Sequence, residues 1–466
     1  MKLNIRNLGK IKKADIELKD LTIICGPNSS NKTWLSYLIG NMLTTIYSRN
    51  IDSNIPEELN AFVKTLLDNG TSFIDLDSAR TAYLSYLQTT IKNSKETLPN
   101  YFKTDKESLS ELTFTLDMSS FSDKETTDCD WTSKASSVNF CTKENKVTAR
   151  LLPQNEEIDS SLKKRTSDVL FSSIVFISGL VSKYTFMKPH IISSERTGAL
   201  MFQEEVDRSA ILIDEVLRSV GTLEISSNDK QRFIGDLLEK LYSSKSRLPV
   251  PVSTNVADVR NIAETKKIQS RISQRNPEVI EILDRMNGGD FVVDDNEIKF
   301  LQRENGHSYT ISSTSSSIKS TFLIDLIIRH KVDTDEIILI DEPELNLHPD
   351  NQRLMARLIV RLINAGVKVL ITTHSDFLIR EINNAIALSN KFEDKDSFLE
   401  MHDLSNTDIL DGNRVSAYSV SDEGEVNEMT IGKYGIETLI FDTLINKAND
   451  FQDELLYNIE PSLFED

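Results

Sequence analysis

A continuous apolar run, Leu21-Thr-Ile-Ile-Cys25, leads directly into Gly26-Pro-Asn-Ser-Ser-Asn-Lys-Thr33, and an apolar-periodic segment of about 15 residues then starts near Lys32. Strand, loop and helix in that order are the context a phosphate-binding loop requires. The loop matches Gly-x-x-x-x-Gly-Lys-Ser/Thr at every fixed position but one, where Asn31 stands for the second Gly. The chemistry needs main-chain N–H groups turned inward around phosphate oxygens, a Lys on the outer phosphates and a hydroxyl for Mg2+. Asn is the non-Gly residue that best tolerates positive φ, so the loop can close with Asn31. Asn28, Ser29 and Ser30 add small polar groups.

A second run, Ile337-Ile-Leu-Ile-Asp341-Glu342, is an apolar strand that ends in two acids. Asp341 suits a Mg2+ held mostly through water, and Glu342 suits a base that orients or deprotonates a water. Two solvated carboxylates at a strand end are the plainer reading. That reading explains poorly why Pro343-Glu344-Leu345-Asn346-Leu347-His348-Pro349 follows. One strand–helix–strand unit later, His374 closes the apolar strand Val367–Thr372 in Ile-Thr-Thr-His-Ser. A lone His there is more often a satisfied structural one. After the paired acids, its position suits contact with a γ-phosphate.

GPNSSNKT, IILIDEPELNLHP and LITTHS together resemble the ABC-type ATPases of the RecF, SMC and overcoming-lysogenization-defect (OLD) group, over residues 1–50 and 285–385. Transporter ATPases write these segments differently. The resemblance implies an α/β fold, an ABC-type P-loop NTPase head with a large inserted helical and β region. It implies ATP on Gly26, Asn28, Ser29, Ser30, Asn31, Lys32 and Thr33, and Mg2+ on Thr33 and Asp341. Glu342 and His374 are then the catalytic pair. In such proteins a Ser-Gly-rich signature loop of one subunit caps the ATP of the other, which implies a homodimer or higher homo-oligomer. The matching stretch here is Ile311–Lys319, ahead of a helix expected over Thr321–His330, with Ser315, Ser316 and Ser317 aimed at the partner's nucleotide. Relatives usually carry Gly where Ser317 stands, and a plain Ser-rich linker is the other reading. His190-Ile-Ile-Ser-Ser-Glu-Arg196-Thr-Gly198 falls where a Q-loop should leave the core. Glu195 or Arg196 is expected there to sense the nucleotide or the opposite subunit, or to form a surface ion pair.

The remaining chain divides around that core. Residues 51–199 read as an inserted helical and antiparallel β region: helix over Pro56–Asn93, then Leu112–Leu116, Ser137–Cys141 and Lys146–Leu152 as a meander. Residues 200–284 read as a helical insert with a loop at Pro249–Val256, and 386–466 as an acidic region completing or flanking the ATPase lobe. Lys267, Arg271 and Arg275 recur every four residues, which suits a helix face meeting DNA phosphates or a solvated basic face. Net charge is −19, and Glu381–Asp466 has 20 acidic against 5 basic residues, a surface that repels nucleic acid and suits a basic partner. The longest apolar run, Val169–Val181, is too short and interrupted to cross a bilayer, and reads as a buried strand or core helix. The N-terminus lacks a signal-peptide core, and Cys25, Cys129 and Cys141 have no metal-ligand spacing. A cytoplasmic protein with no membrane partner is expected.

Only 92 residues follow His374, without a strand-led Asp-x-Asp or an HNH-type Cys/His cluster. No nuclease of its own is therefore expected. The chain most resembles the ATPase subunit of Septu-type anti-phage systems, and the closing Ala417-Tyr-Ser-Val-Ser and Tyr434-Gly-Ile-Glu437 segments share that likeness. The resemblance implies an ATP-driven sensor that controls a separately encoded nuclease, HNH-type first and Toprim-type, as in PARIS-type systems, second. A RecF-like clamp that closes on duplex DNA is the alternative, and a transporter ATPase fits poorly.

Overall fold

The apolar runs that precede the motifs pair side by side. A computed structural model describes residues 1–48, 55–117, 129–134, 136–152, 162–181, 187–202, 248–294, 297–437, 449–456 and 458–459. Its strands are β1 (Lys2–Leu8), β2 (Ile11–Glu17), β3 (Leu21–Cys25), β4 (Thr71–Asp75), β5 (Thr113–Asp117), β6 (Cys129–Ser133), β7 (Val138–Lys143), β8 (Lys146–Leu151) and β9 (Pro189–Ile192), then β10 (Gly289–Asp294), β11 (Glu297–Gln302), β12 (Ser308–Thr310), β13 (Ile337–Asp341), β14 (Lys368–Thr373), β15 (Val415–Val420), β16 (Val426–Glu428), β17 (Ile431–Gly432) and β18 (Gly435–Ile436). The central sheet has six strands in the order β16-β15-β3-β14-β13-β9. All its pairings are parallel except the edge pair β15–β16. Smaller sheets β2-β1-β5, β10-β11-β12 and β4-β8-β7-β6 surround it.

The central strands read as unbroken apolar runs because both faces of the sheet are covered. Ile337, Leu339 and Leu370 enter one core with the helix Lys32–Ser48 and with Leu3, Ile5 and Ile16 of the β1–β2 hairpin. Their neighbours Ile338, Ile340 and Ile371 enter the other, with the helices Ser316–His330, Pro349–Asn364 and Asp376–Ala387. Each such side chain removed from water contributes about 1.5–3 kcal/mol, which holds the register fixed. That register sets Asp341 beside Thr372 and Thr373 beside Cys25, so the loops leaving β3, β13 and β14 emerge at one edge. Side-chain caps start the helices that follow: Ser315 accepts from Ile318, His348 from Asp350 and Ser375 from Leu378.

Several sequence expectations are corrected. Leu112–Leu116 alternates like a meander strand, yet β5 pairs with β1 and not with β7 or β8. Period-2 alternation specifies a half-buried strand but not its partner. The helix expected over Pro56–Asn93 is two helices, Glu57–Asn69 and Leu76–Ser94, parted by β4; Gly70 at φ 73 stops the first and Asp75 caps the second. Pro249–Val256 is not a loop: the helix Val250–Arg260 begins there, with Pro251 in the first turn, where a missing N–H costs nothing. Of the buried strand or core helix expected for Val169–Val181, the segment forms the helix, within Leu162–Val181. From within 51–199, β9 joins the central sheet and β5 the β1–β2 sheet. Residues 203–247, most of the helical insert expected over 200–284, lie outside the described residues. Among the described residues, no helix is long and apolar enough to cross a membrane.

Candidate nucleotide site

The loop after β3 is shaped by three unusual main-chain angles. Gly26 has φ 154, Ser29 φ 63 and Asn31 φ 67. A Cβ on Gly26 would lie 2.6 Å from the carbonyl oxygen of Val420 at the end of β15, so only glycine fits. Left-handed residues between right-handed ones form concave nests of N–H groups that bind anions. Asn31 takes up the positive φ, and its side-chain oxygen also accepts the Lys10 N–H at 3.2 Å. Ser30 is buried and donates to the Pro27 carbonyl at 2.8 Å, while Asn28 and Ser29 are exposed. We expect Asn31→Gly to keep nucleotide affinity. Asn31→Val puts a β-branched residue at positive φ at a cost of about 1–2 kcal/mol, and calorimetry should show that variant binding ATP roughly tenfold more weakly.

Lys32 opens the helix Lys32–Ser48, and its Nζ donates to the carbonyls of Gly26 at 2.8 Å and Pro27 at 2.6 Å. Burial lowers its pKa, against the opposing pull of Glu342 and Asp341. The next residue, Thr33, donates to Asp341 Oδ2 at 3.0 Å, with Oδ1 at 3.2 Å. Asp341, 1% exposed, also accepts from the Thr372 hydroxyl, its neighbour across β13–β14. A hydroxyl beside a carboxylate is a fitting protein share for Mg2+, which takes its other oxygens from phosphates and water. The residues present therefore fit that ion.

Glu342 follows at φ 50, with its N–H donated to the Thr372 carbonyl at 3.1 Å. Its carboxylate is half-buried, and burial, with Asp341 beside it, raises its pKa above the ordinary 4.5. His374 Nδ1 stands 3.9 Å from Glu342 and 3.4 Å from Glu344. Glu344 is buried, and its Oε1 accepts the Thr373 hydroxyl at 2.7 Å and the His374 N–H at 2.9 Å. One carboxylate thus ties the loop after β13 to the loop after β14. Thr372 and Glu344 are not singled out by the motifs, although both stand inside the quoted segments. Their signal is the parallel register, which sets the last residues of the two apolar runs side by side.

For the Q-loop pair, the surface alternative is corrected at Arg196. Arg196 is not at the surface, being 1% exposed, and it forms no ion pair among the described residues. It donates to the main-chain carbonyls of Asp341 at 2.8 Å, Glu342 at 2.7 Å, Ser320 at 2.9 Å and Ser193 at 3.3 Å. Burial pushes its pKa down to about 10, against the pull of Asp341. Glu195 is exposed and accepts the Tyr37 hydroxyl at 3.3 Å.

The serine segment departs from its expected form. Its helix begins at Ser316 and not at Thr321, because the Ser315 hydroxyl caps it through the Ile318 N–H at 3.3 Å. Ser315 and Ser316 are exposed and Ser317 is partly exposed, so the helix N-terminus faces outward. The basic stripe is also corrected: Lys267 lies after the helix Ile262–Thr265, and Ser270 caps a new helix, Arg271–Arg275. Lys267 pairs with Glu264 and Arg271 with Asp333, so these residues do not form one free cationic face.

Among solved structures, the Smc head domain with an extended coiled coil bound to the C-terminal domain of ScpA, from Pyrococcus furiosus, aligns over 97% of this chain and 98% of its own. It does so at 11% identity and a TM-score of 0.31. An SmcHead bound to the C-winged helix domain of ScpA aligns over 93% and 98%, at 11% identity and a TM-score of 0.33. Likeness at that level adds nothing to the fold described above. Every loop that builds the site falls within residues 1–379, which match the AAA ATPase domain family, and the chain belongs to that family of ATPases.

Proposed function

We propose that this ATPase closes as a head-to-tail dimer on ATP and acts as the sensor subunit of a bacterial anti-phage complex, controlling a separately encoded nuclease. The observation that carries the catalytic part is the convergence of Lys32, Thr33, Asp341, Glu342 and His374 on one sheet edge, with Thr33 and Thr372 both bonded to Asp341. The loop Gly26–Thr33, including Asn28, Ser29, Ser30 and Asn31, holds the phosphates by its N–H groups and the Lys32 ammonium. Thr33 and Asp341 would hold Mg2+, which when bound would neutralise charge developing on the transferred phosphate.

Glu342, raised in pKa and facing the same edge, orients the attacking water and takes its proton. His374 contacts the γ-phosphate, and Glu344 fixes the main chain that presents it. The outward N-terminus of the helix Ser316–His330 supplies Ser315, Ser316 and Ser317 to the partner subunit's ATP, where a helix N-terminus favours the phosphate charge. Control of an HNH-type or Toprim-type nuclease rests on the likeness of the compact chain, its Ser-rich segment Ile311–Lys319, Ser194-Glu195-Arg196 and the closing Ala417-Tyr-Ser-Val-Ser and Tyr434-Gly-Ile-Glu437 segments to Septu-type ATPase subunits.

A mixing experiment tests the closed dimer. Lys32→Ala breaks the phosphate loop, and Ser317→Arg blocks the capping surface, so each variant alone should be inactive. Random pairing makes half of the dimers mixed, each with one intact composite site, and the mixture should recover about a quarter of the ATP that the wild type holds between subunits. No recovery would remove the trans arrangement. Co-expression with the genomic neighbours tests the sensor role: a nuclease held in stable stoichiometry supports it. A bare dimer that binds duplex DNA with steep salt dependence replaces it with the clamp.

A further inference from the structure

Among the described residues, the guanidinium of Arg196 alone bonds the capping helix and the acid-bearing strand end at once. Its Nε holds the Ser320 carbonyl in the first turns of the helix Ser316–His330. Its Nη1 and Nη2 hold the carbonyls of Asp341 and Glu342, and Nη1 also reaches Ser193 after β9. All four acceptors are main-chain oxygens, so a change in any of these segments displaces backbone and not merely a side chain. Glu342 stands at φ 50, a conformation that costs an L residue energy and persists only while its surroundings impose it. A planar, rigid fork of donors is suited to imposing it.

We propose that Arg196 is a positioning residue that passes the placement of the Ser316 helix N-terminus to the main chain presenting Asp341 and Glu342. The inference rests on the trans-capping arrangement proposed above. When the helix N-terminus engages the partner's ATP, the first turn shifts and carries the Ser320 carbonyl with it. Arg196, held at that carbonyl and at two carbonyls of the acid pair, turns the shift into a movement of Glu342. The subunit's own base is thereby aligned when its capping face is occupied, so the two sites of a dimer fire in concert. A guanidinium placed only to satisfy buried carbonyls would stabilise the fold without this link.

Arg196→Lys keeps the charge but replaces the fork by one ammonium, which cannot span three segments. The expected result is an ATP dissociation constant near that of wild type, because the phosphate loop is untouched. The maximal rate should fall about tenfold to a hundredfold, as misplacement by about 1 Å does elsewhere. Ser317→Arg should slow the wild type strongly, and Arg196→Lys should lower the residual rate of that variant little further. Additive losses would overturn the coupling.

Hydrogen exchange gives a readout independent of turnover. In a Glu342→Gln background with Arg196 intact, ATP should protect the amides of 316–320 and 337–342 together. In Arg196→Lys, only 316–320 should gain protection. Protection confined to 316–320 with Arg196 intact overturns the proposal, even if Arg196→Lys does not fold. Absence of any ATP-dependent protection at 316–320 instead removes the trans-capping reading on which the proposal stands.

Discussion

Lys32→Ala should leave the protein folded and unable to hold ATP. The Lys32 ammonium, buried at the loop's base, donates to the Gly26 and Pro27 carbonyls, and it can turn both bonds to phosphate oxygens by small side-chain rotations. Hydrogen bonds to charged groups contribute about 1.5–3 kcal/mol each. Losing a pair weakens binding on the order of a hundredfold or more. The variant also loses the tie across the loop in the free protein, so the Gly26–Thr33 backbone should exchange faster. Calorimetric titration with ATP and Mg2+ checks the prediction, beside a melting curve that confirms folding. Unchanged affinity in a folded variant would remove the loop from the nucleotide site.

Glu342→Gln separates binding from hydrolysis. Gln keeps the size of the side chain but puts an amide donor in place of one acceptor oxygen and cannot take a proton, so turnover should fall about 10²–10⁴-fold while ATP still binds. With hydrolysis stopped, the closed dimer should persist in ATP and be seen by size measurement. Turnover at the wild-type rate would disqualify Glu342 as the base.

The pH dependence carries the same assignment. The Glu342 pKa lies above 4.5, chiefly through burial and next through Asp341 and Glu344, with His374 and Lys32 pulling it down. The ionised form is the active base, so kcat/KM should fall on acidification through a midpoint above the ordinary Glu value. Stability runs the other way. A carboxyl whose folded pKa is raised contributes stability fully below its unfolded pKa and loses it as pH rises through the folded one. Glu342→Gln removes that loss, and its melting temperature should exceed that of wild type at neutral pH and converge with it under acid conditions.

Much of the catalytic edge was legible because its chemistry uses local patterns. Leu21–Cys25, Ile337–Ile340 and Val367–Thr372 are continuous apolar runs because their strands are buried on both faces, and the residues that follow each run must share an edge. Asn31 could stand for Gly because its short amide tolerates positive φ, and it sits at φ 67. Arg196 was illegible in its actual place, since its partners are main-chain carbonyls, which every residue carries and no motif records. The helix start was misread because serine is equally at home in a loop and as a cap, and only the bond from Ile318 to Ser315 decides between them. The partner of β5 was hidden for a related reason: Thr113–Asp117 lies against Lys2–Arg6, and no local pattern encodes so distant a match.

The close fit of Gly26 against Val420 has a consequence for synthesis. Strand β3 is flanked by β14 and β15, so Ile23 lies between Ile371 and Ala417. The phosphate loop leaves the ribosome early, yet both strands that brace it come far later in the chain. At about 5–20 residues per second, the wait is on the order of 20–80 s. During that time the nascent segment has no finished cradle and exposes an apolar strand with two open edges. Nucleotide competence therefore arrives late and all at once, as the acidic C-terminal region emerges. A ribosome stalled before residue 415 should present a chain that does not retain ATP, whatever the state of its N-terminal hairpin.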